Sequence, residues 1–289
     1  MASPETTRFA PSPTGALHLG HAYAALLAHA AARNTGGQFL LRMEDLDEGR
    51  CNAHYEAAIL ADLEWLGVAG DGPVRHQSEH MDRYRQALEA LAGQGLVYPC
   101  FCTRGDIARE IEMMASAPQG PDGPLYPGTC RLLPPAERRA RLAAGTAHAL
   151  RLDIDAAVEA LEHAELQFEE TGQGPGGESG LIAVRPGVLG DVVLGRKDLG
   201  VSYHLAVVID DADQAVSLVT RGEDLFAATH VQRLLQSLLG LPVPRYRHHA
   251  LIRGADGRRL AKRDRDQTLA ALRASGMTPA DIQRQLGLR

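Results

Sequence analysis

Two kinds of apolar pattern alternate along the first hundred residues of the chain. Helical spacing of apolar residues occurs over residues 19–33, 53–66 and 81–91. Between the first two of these stretches, residues 38–42 form a short apolar run that is typical of a buried strand. Because helices and strands alternate, the pattern predicts an α/β fold.

The middle of the chain interrupts this pattern. Residues 116–128 and 172–180 are rich in proline and glycine, which predicts loops. Beyond them the pattern resumes, with predicted strands at 205–209 and 216–220, a helix at 230–239 and a helical tail at 267–288. We therefore predict a Rossmann-like core that is split by an inserted subdomain.

The predicted domain boundaries follow from this interruption. The first half of the core covers residues 1–98, the insertion 99–196 and the second half 197–244. Residues 245–289 would form a basic loop and the short helical tail.

Composition narrows the class of protein. No apolar run reaches the roughly 18 residues needed to span a bilayer, and residues 1–8 lack the features of a signal peptide. We therefore expect a cytoplasmic protein without a membrane partner, and we expect a monomer. The net charge of −6 gives no overall attraction to nucleic acid, so an RNA partner would need a local basic surface.

The first chemical candidate is a histidine pair at the start of the first predicted helix. His18 and His21 follow a segment, residues 11–15, whose prolines and Gly15 favour a tight entry into that helix. Two imidazoles beside helix N–H groups can donate hydrogen bonds to a phosphate, and Gly20 would let a nucleotide approach the backbone. A histidine pair without such a preceding segment is more often a pair of partly buried helix residues.

The second candidate is a lysine in the basic loop near the C-terminus. Of the 30 basic residues all but Lys197 and Lys262 are arginine. An ammonium is a compact charge that can follow migrating phosphates, which gives a reason for a lysine at position 262. The alternative is a charged loop exposed to solvent.

Two further candidates come from a carboxylate and from the cysteines. Glu44 follows the strand predicted at 38–42, at the sheet edge where ligands bind in open α/β folds. Three clustered thiols favour a structural zinc ion, whereas Cys51 stands apart. The alternative for the cluster is three reduced thiols packed in the core. The clustered cysteines are Cys100, Cys102 and Cys130.

Several of these segments together resemble class I aminoacyl-tRNA synthetases. Residues 18–21 (His-Leu-Gly-His) resemble the HIGH signature, and residues 8–15 are similar to its glutamyl-type version. Residues 259–263 resemble the KMSKS loop, with arginine for its first lysine, alanine for its serine and Lys262 at the second lysine. Residues 39–47, 202–211 and 220–225 are similar to other parts of glutamyl-type cores.

The resemblance implies roles for particular residues. Arg8 would bind the side-chain carboxylate of L-glutamate, Glu44 its α-ammonium, and Ser12 would add a hydrogen bond. The same pocket would include Phe9, Ala10, Pro11, Tyr203 and Arg221. ATP, with Mg²⁺, would be bound by His18, Gly20, His21 and Lys262, of which the two histidines and the lysine would be catalytic.

The resemblance also bears on the cysteine cluster. Small glutamyl-synthetase paralogues bind one structural Zn²⁺ through a CxC…YxxxC arrangement, which nominates Tyr126 as the fourth ligand. From the residues alone, the fourth ligand is not obvious, and Asp106, Glu110 or Asp122 could take the place of the tyrosine.

The length of the chain distinguishes between the glutamyl-type families that it resembles. Forty-eight residues follow Leu241, too few for an anticodon-binding domain of roughly 100 to 200 residues. The chain is therefore identified as a member of the glutamyl-Q tRNA(Asp) synthetase family, which transfers glutamate to queuosine in tRNA(Asp). Two alternatives are a truncated glutamyl-tRNA synthetase that charges tRNA(Glu) and a catalytically inactive tRNA-binding module.

Overall fold

The N-terminal strand β1 (Thr6–Phe9) lies between two groups of parallel strands. In this computed structural model, which describes residues 3–114, 119–121, 123–162, 164–198, 200–252 and 268–288, β1 pairs in parallel with β2 (Gln38–Met43). Strand β2 also pairs in parallel with β3 (Arg75–His76). On the other side of β1, the Ser217 N–H donates to the carbonyl oxygen of Thr6 at 2.9 Å.

The second group of strands begins at that contact. Strand β11 (Leu218–Gly222) pairs in parallel with β12 (Arg245–His249), which pairs with β8 (Gln167–Glu170). Strand β8 is antiparallel to β9 (Gly180–Ala183) at the edge. The predicted α/β fold is thus confirmed.

Helices cover these strands. Their bounds are α1 (Leu19–Thr35), α2 (Ala53–Leu66), α3 (Met81–Gly93), α4 (Arg104–Met113), α5 (Pro135–Ala143), α6 (Ile154–Ala160), α7 (Tyr203–Asp213), α8 (Phe226–Leu238), α9 (Leu269–Ala274) and α10 (Pro279–Gln285). Helix α1 buries its alanine-rich face, and Gly36 ends it in the left-handed conformation that glycine adopts without strain. The helices predicted at 19–33, 53–66, 81–91 and 230–239 are confirmed.

The strand predicted at residues 205–209 is wrong, because these residues belong to helix α7. Every residue from Leu205 to Asp211 is buried, so the segment lacks the polar face that marks a surface helix. A short apolar run of this kind does not distinguish a buried strand from a buried helix. Two consequences are that Tyr203 occupies the first turn of a helix and that the acidic pair Asp210-Asp211 is buried in its last turns.

The middle region contains a separate antiparallel sheet. Strand β7 (Ala149–Leu152) lies between β4 (Val97–Cys100) and β10 (Val193–Gly195). The segment predicted as a loop at 116–128 includes a short hairpin of β5 (Gln119–Gly120) and β6 (Gly123–Pro124). The boundary predicted at residues 98/99 falls inside β4. Strand β8 of the predicted insertion pairs with β12, and β9 pairs with β8.

The C-terminal helices pack against the first half of the chain. Leu269 of α9 and Ile282 of α10 are buried in the same core as α1 and α2. The Leu269 N–H donates to the carbonyl oxygen of Leu17 at 2.9 Å, which places the start of α9 beside the start of α1. None of the helices in the described part of the chain has both the length and the apolar character that a membrane crossing requires.

Candidate active site

One cavity of about 480 Å³ opens where β1, β2 and β11 end and where α1 and α7 begin. It is lined by every predicted glutamate- or ATP-binding residue that lies in the described ranges. These residues are Arg8, Phe9, Ala10, Pro11, Ser12, His18, Gly20, His21, Glu44, Tyr203 and Arg221. Segments far apart in sequence thus converge as the resemblance implies.

The two histidines form the start of helix α1. His18 is the N-cap rather than a helix residue, and its Nδ1 accepts the Gly20 N–H at 3.1 Å. The His18 N–H in turn donates to Nδ1 of His21 at 3.2 Å. Because each Nδ1 acts as an acceptor, a neutral ring carries its hydrogen on Nε2. Both rings line the cavity, and in a neutral ring the donor is the Nε2–H.

Arg8 is held from behind by an ion pair. Its side chain is 5% exposed, and its Nε donates to Asp211 Oδ1 at 2.9 Å. The same carboxylate oxygen accepts from Nη2 of Arg42, which is fully buried, at 2.8 Å. Adjacent acidic residues such as Asp210-Asp211 are usually exposed to solvent. Asp211 instead bridges two buried guanidinium groups. These two cations keep the pKa of Asp211 low in spite of its burial.

Glu44 has an unusually high pKa for a carboxyl group. Burial raises its pKa to about 7, and the guanidinium groups of Arg42 and Arg8 oppose that rise only in part. Its backbone N–H donates to the carbonyl oxygen of Pro11 at 3.0 Å, which fixes it next to the segment that follows β1. A largely buried carboxylate of this kind, 13% exposed, favours a cationic partner in the cavity.

Arg221 reaches the cavity from β11. Its Nη1 donates to the Tyr203 hydroxyl at 3.5 Å, and its Nη2 to Oγ1 of Thr229 at 2.7 Å. Its Nε donates to Nε2 of His248 at 3.2 Å. Burial raises the pKa of Tyr203, so the phenol stays protonated beside the guanidinium. The cavity thus brings together two arginines, the carboxyl group of Glu44 and a phenol.

The predicted lysine and its KMSKS-like loop, residues 259–263, lie outside the described residues. The flanks of that segment are described. Ile252 lines the cavity, and Thr268 forms a β-bridge with His18. The prediction for Lys262 therefore stays a prediction.

The cysteine cluster forms in the middle region, away from the cavity-lining residues. The sulfur atoms of Cys100, Cys102 and Cys130 lie within 4.8 Å of one another, which is compatible with a common metal ion. The Tyr126 hydroxyl lies 3.5 Å from Sγ of Cys100 and 3.8 Å from Sγ of Cys102. All four residues that the sequence nominates as ligands therefore meet.

Several residues that shape the cavity escaped the sequence analysis. Asp211 accepts hydrogen bonds from both Arg8 and Arg42, and Glu170 contacts the histidine behind Arg221. Their only signals are polar side chains inside apolar runs, such as Asp210-Asp211 after five apolar residues. Further lining residues that it missed are Ala24, Thr220, Gly222, Asp224, Leu225, His249 and Leu251.

Comparisons with known proteins find relatives that are similar in sequence and in fold. A glutamyl-Q tRNA(Asp) synthetase of Rhodobacter capsulatus is 53% identical over 98% of this chain and 99% of its own length. A protein of the same name from Symbiobacterium thermophilum is 45% identical over 95% and 83%. The crystal structure of a glutamate tRNA ligase from Elizabethkingia meningosepticum, in complex with its amino acid, is similar with a TM-score of 0.73 and 29% identity.

That structural match covers 91% of this chain, which spans about half (53%) of the length of the solved chain. The family described as tRNA synthetases class I (E and Q), catalytic domain, matches residues 5–289. The match therefore includes both the cavity and the cysteine cluster. The chain belongs to the catalytic-domain family of the class I tRNA synthetases for glutamate and glutamine.

Proposed function

We propose that the protein activates L-glutamate with ATP to glutamyl-adenylate and transfers the glutamyl group to queuosine in tRNA(Asp). The observation that carries the first step is the convergence of two arginines, Glu44 and the histidine pair on one cavity. The relatives' names support the second step, since the Rhodobacter protein matches this chain over nearly its whole length.

The charges of the cavity fit glutamate. A guanidinium group binds a carboxylate through charge-assisted hydrogen bonds, so Arg8 and Arg221 favour an acidic side chain over the neutral amide of glutamine. Glu44 supplies the negative charge for the α-ammonium group, and Ser12 adds a hydrogen bond. The α-carboxylate of the substrate then remains to react.

In the proposed reaction the substrate carboxylate is the nucleophile. One of its oxygens forms a bond to the α-phosphorus of ATP, and the bond from that phosphorus to the oxygen bridging to the β-phosphate breaks. Pyrophosphate leaves with its Mg²⁺. The Nε2–H groups of His18 and His21 donate to the α-phosphate as its charge increases, and Lys262 stabilises the leaving phosphates.

Zinc is the metal that fits the cysteine cluster. Thiolates at about 2.3 Å from a tetrahedral zinc ion lie roughly 3.8 Å apart, and Sγ of Cys102 lies 3.4 Å from Sγ of Cys130. We propose Tyr126 as the fourth ligand because its hydroxyl contacts the cluster. Two of the alternative ligands are engaged elsewhere: Asp106 caps helix α4 and Glu110 contacts Thr129. The third, Asp122, lies outside the described residues.

Pyrophosphate exchange tests the proposed activation step. With purified protein, glutamate and ATP but no tRNA, we expect glutamate-dependent exchange and none with glutamine. Exchange that strictly requires tRNA(Glu) would favour a truncated glutamyl-tRNA synthetase. Binding of tRNA without any binding of ATP would favour the inactive module.

A further inference from the structure

Behind Arg221 lies a buried pair of residues that the proposed mechanism does not use. Glu170 and His248 have side chains that are 0% exposed, and His248 Nδ1 bonds to Glu170 Oε2. The other oxygen of Glu170 accepts two backbone N–H groups, from His248 at 2.9 Å and from Gly172 at 2.7 Å. The carboxylate is thus fully engaged, which holds its pKa below the ordinary value despite burial.

The sheet register brings these residues together. Arg221 of β11 lies opposite His248 of β12, and Tyr246 of β12 lies opposite Glu170 of β8. Gly172 allows the chain after β8 to approach β12 closely, since a Cβ at this position would lie 2.2 Å from the carbonyl oxygen of His248. Three neighbouring parallel strands therefore align a carboxylate, an imidazole and a guanidinium group.

The hydrogen bonds determine the tautomer of His248. Arginine Nε always carries a hydrogen, so the imidazole Nε2 that lies 3.2 Å from Nε of Arg221 accepts it. The ring hydrogen is then on Nδ1 and donates to Glu170. Burial lowers the pKa of His248, in agreement with a neutral ring.

The geometry points to Glu170, acting through His248, as the positioning group that orients Arg221 and thereby sets the affinity for the amino acid. This inference rests on the proposed function. With Nε held by His248 and Nη2 by Thr229, the guanidinium group has a single orientation, in which Nη1 faces Tyr203 of the cavity. Neither Glu170 nor His248 lines the cavity.

The substitution Glu170→Gln tests this relay of hydrogen bonds from Glu170 through His248 to Arg221. The glutamine amide cannot satisfy all the partners of Glu170 in either of its two orientations. If its NH₂ faces Nδ1 of His248, the ring hydrogen must move to Nε2, where it opposes the Nε–H of Arg221. If its oxygen faces Nδ1, the NH₂ opposes the backbone N–H groups of His248 and Gly172. The neighbour Glu169, which is exposed on the same strand, provides the matched control Glu169→Gln.

We would measure glutamate-dependent pyrophosphate exchange for the wild type, E170Q and E169Q. We expect KM for glutamate to rise about tenfold in E170Q, as for other orienting groups behind a binding residue, with KM for ATP and kcat little changed. E169Q should match the wild type. A merely structural role would instead lower kcat and thermal stability without a selective change in KM, and this result would overturn the inference.

Nitrogen NMR of the histidine rings provides a readout that needs no activity. In the wild type, the ring whose signals vanish in His248→Gln should be neutral and protonated at Nδ1. A ring protonated at Nε2, or at both nitrogens, overturns the inference. If the wild type showed this tautomer but activated no glutamate, the proposed function would fail while the relay behind Arg221 would stand.

Discussion

The ring centroids of His18 and His21 lie 3.9 Å apart at the start of helix α1. Each of the two rings uses Nδ1 to accept a backbone N–H, and together they form a reciprocal capping box. The pair therefore stabilises the start of the helix and also places two Nε2–H donors side by side. This double use lets the structural and chemical roles of His18 be separated by mutation.

We expect His18→Asn to retain the helix and lose the chemistry. Asparagine is among the best N-cap residues, so the free energy of unfolding should change by less than about 1 kcal/mol. Loss of the Nε2–H donor should lower kcat for pyrophosphate exchange about a hundredfold, with KM for glutamate little changed. An unreduced kcat in H18N would refute the donor role.

Asp211→Asn should destabilise the protein strongly. The carboxylate joins two buried guanidinium groups, those of Arg8 and Arg42. Breaking a buried ion pair leaves uncompensated charge and lowers the free energy of unfolding by about 3 kcal/mol or more. Urea denaturation would measure this loss.

The matched control is Asp213→Asn on the same helix. Asp213 is 27% exposed and pairs with Arg75 and Arg83. Exposed pairs contribute at most about 1 kcal/mol. Equal losses for D211N and D213N would contradict the assignment of Asp211 as the centre of the buried network.

Glutamate binding should depend on the ionisation of Glu44. Its pKa is raised to about 7, so the group is neutral below that pH and negative above it. Only the ionised form attracts the α-ammonium group, so KM for glutamate should rise as pH falls below about 7, by up to tenfold per pH unit. Glu44→Gln should have a high KM at all pH values, and a flat wild-type profile from about pH 5.5 to 8.5 would exclude this role.

The cysteine cluster should bind one zinc ion per chain. We expect elemental analysis after dialysis to find about one equivalent of zinc in the wild type. Cys102→Ser should lose it and unfold at lower temperature, because the ion connects β4 to the segment around Cys130. Cys51→Ser, outside the cluster, should retain the metal. Zinc retained at the wild-type level in C102S would argue against the site.

Much of the cavity could be predicted from sequence because its parts are local. His18 and His21 are three residues apart, and Glu44 follows directly after a strand whose apolar run is plain in the sequence. Helix α1 and strand β2 have the spacing that their burial requires. Such features depend on neighbours along the chain.

The features that were missed depend on burial and on register. Residues 205–211 of helix α7 are buried on all sides, which the apolar run at 205–209 alone does not reveal. Glu170 and His248 are 78 residues apart and meet only through the pairing of β8 with β12. The spacing of residues along the chain does not predict such a contact between strands that are far apart in sequence.

The most direct test of the account is the transfer of radiolabelled glutamate to tRNA. Wild-type protein with ATP would be incubated with queuosine-containing tRNA(Asp), queuosine-free tRNA(Asp) and tRNA(Glu), and label bound to each tRNA would be counted. The account predicts label on the queuosine-containing tRNA(Asp) alone. Label on tRNA(Glu), or equal label on both forms of tRNA(Asp), would contradict it.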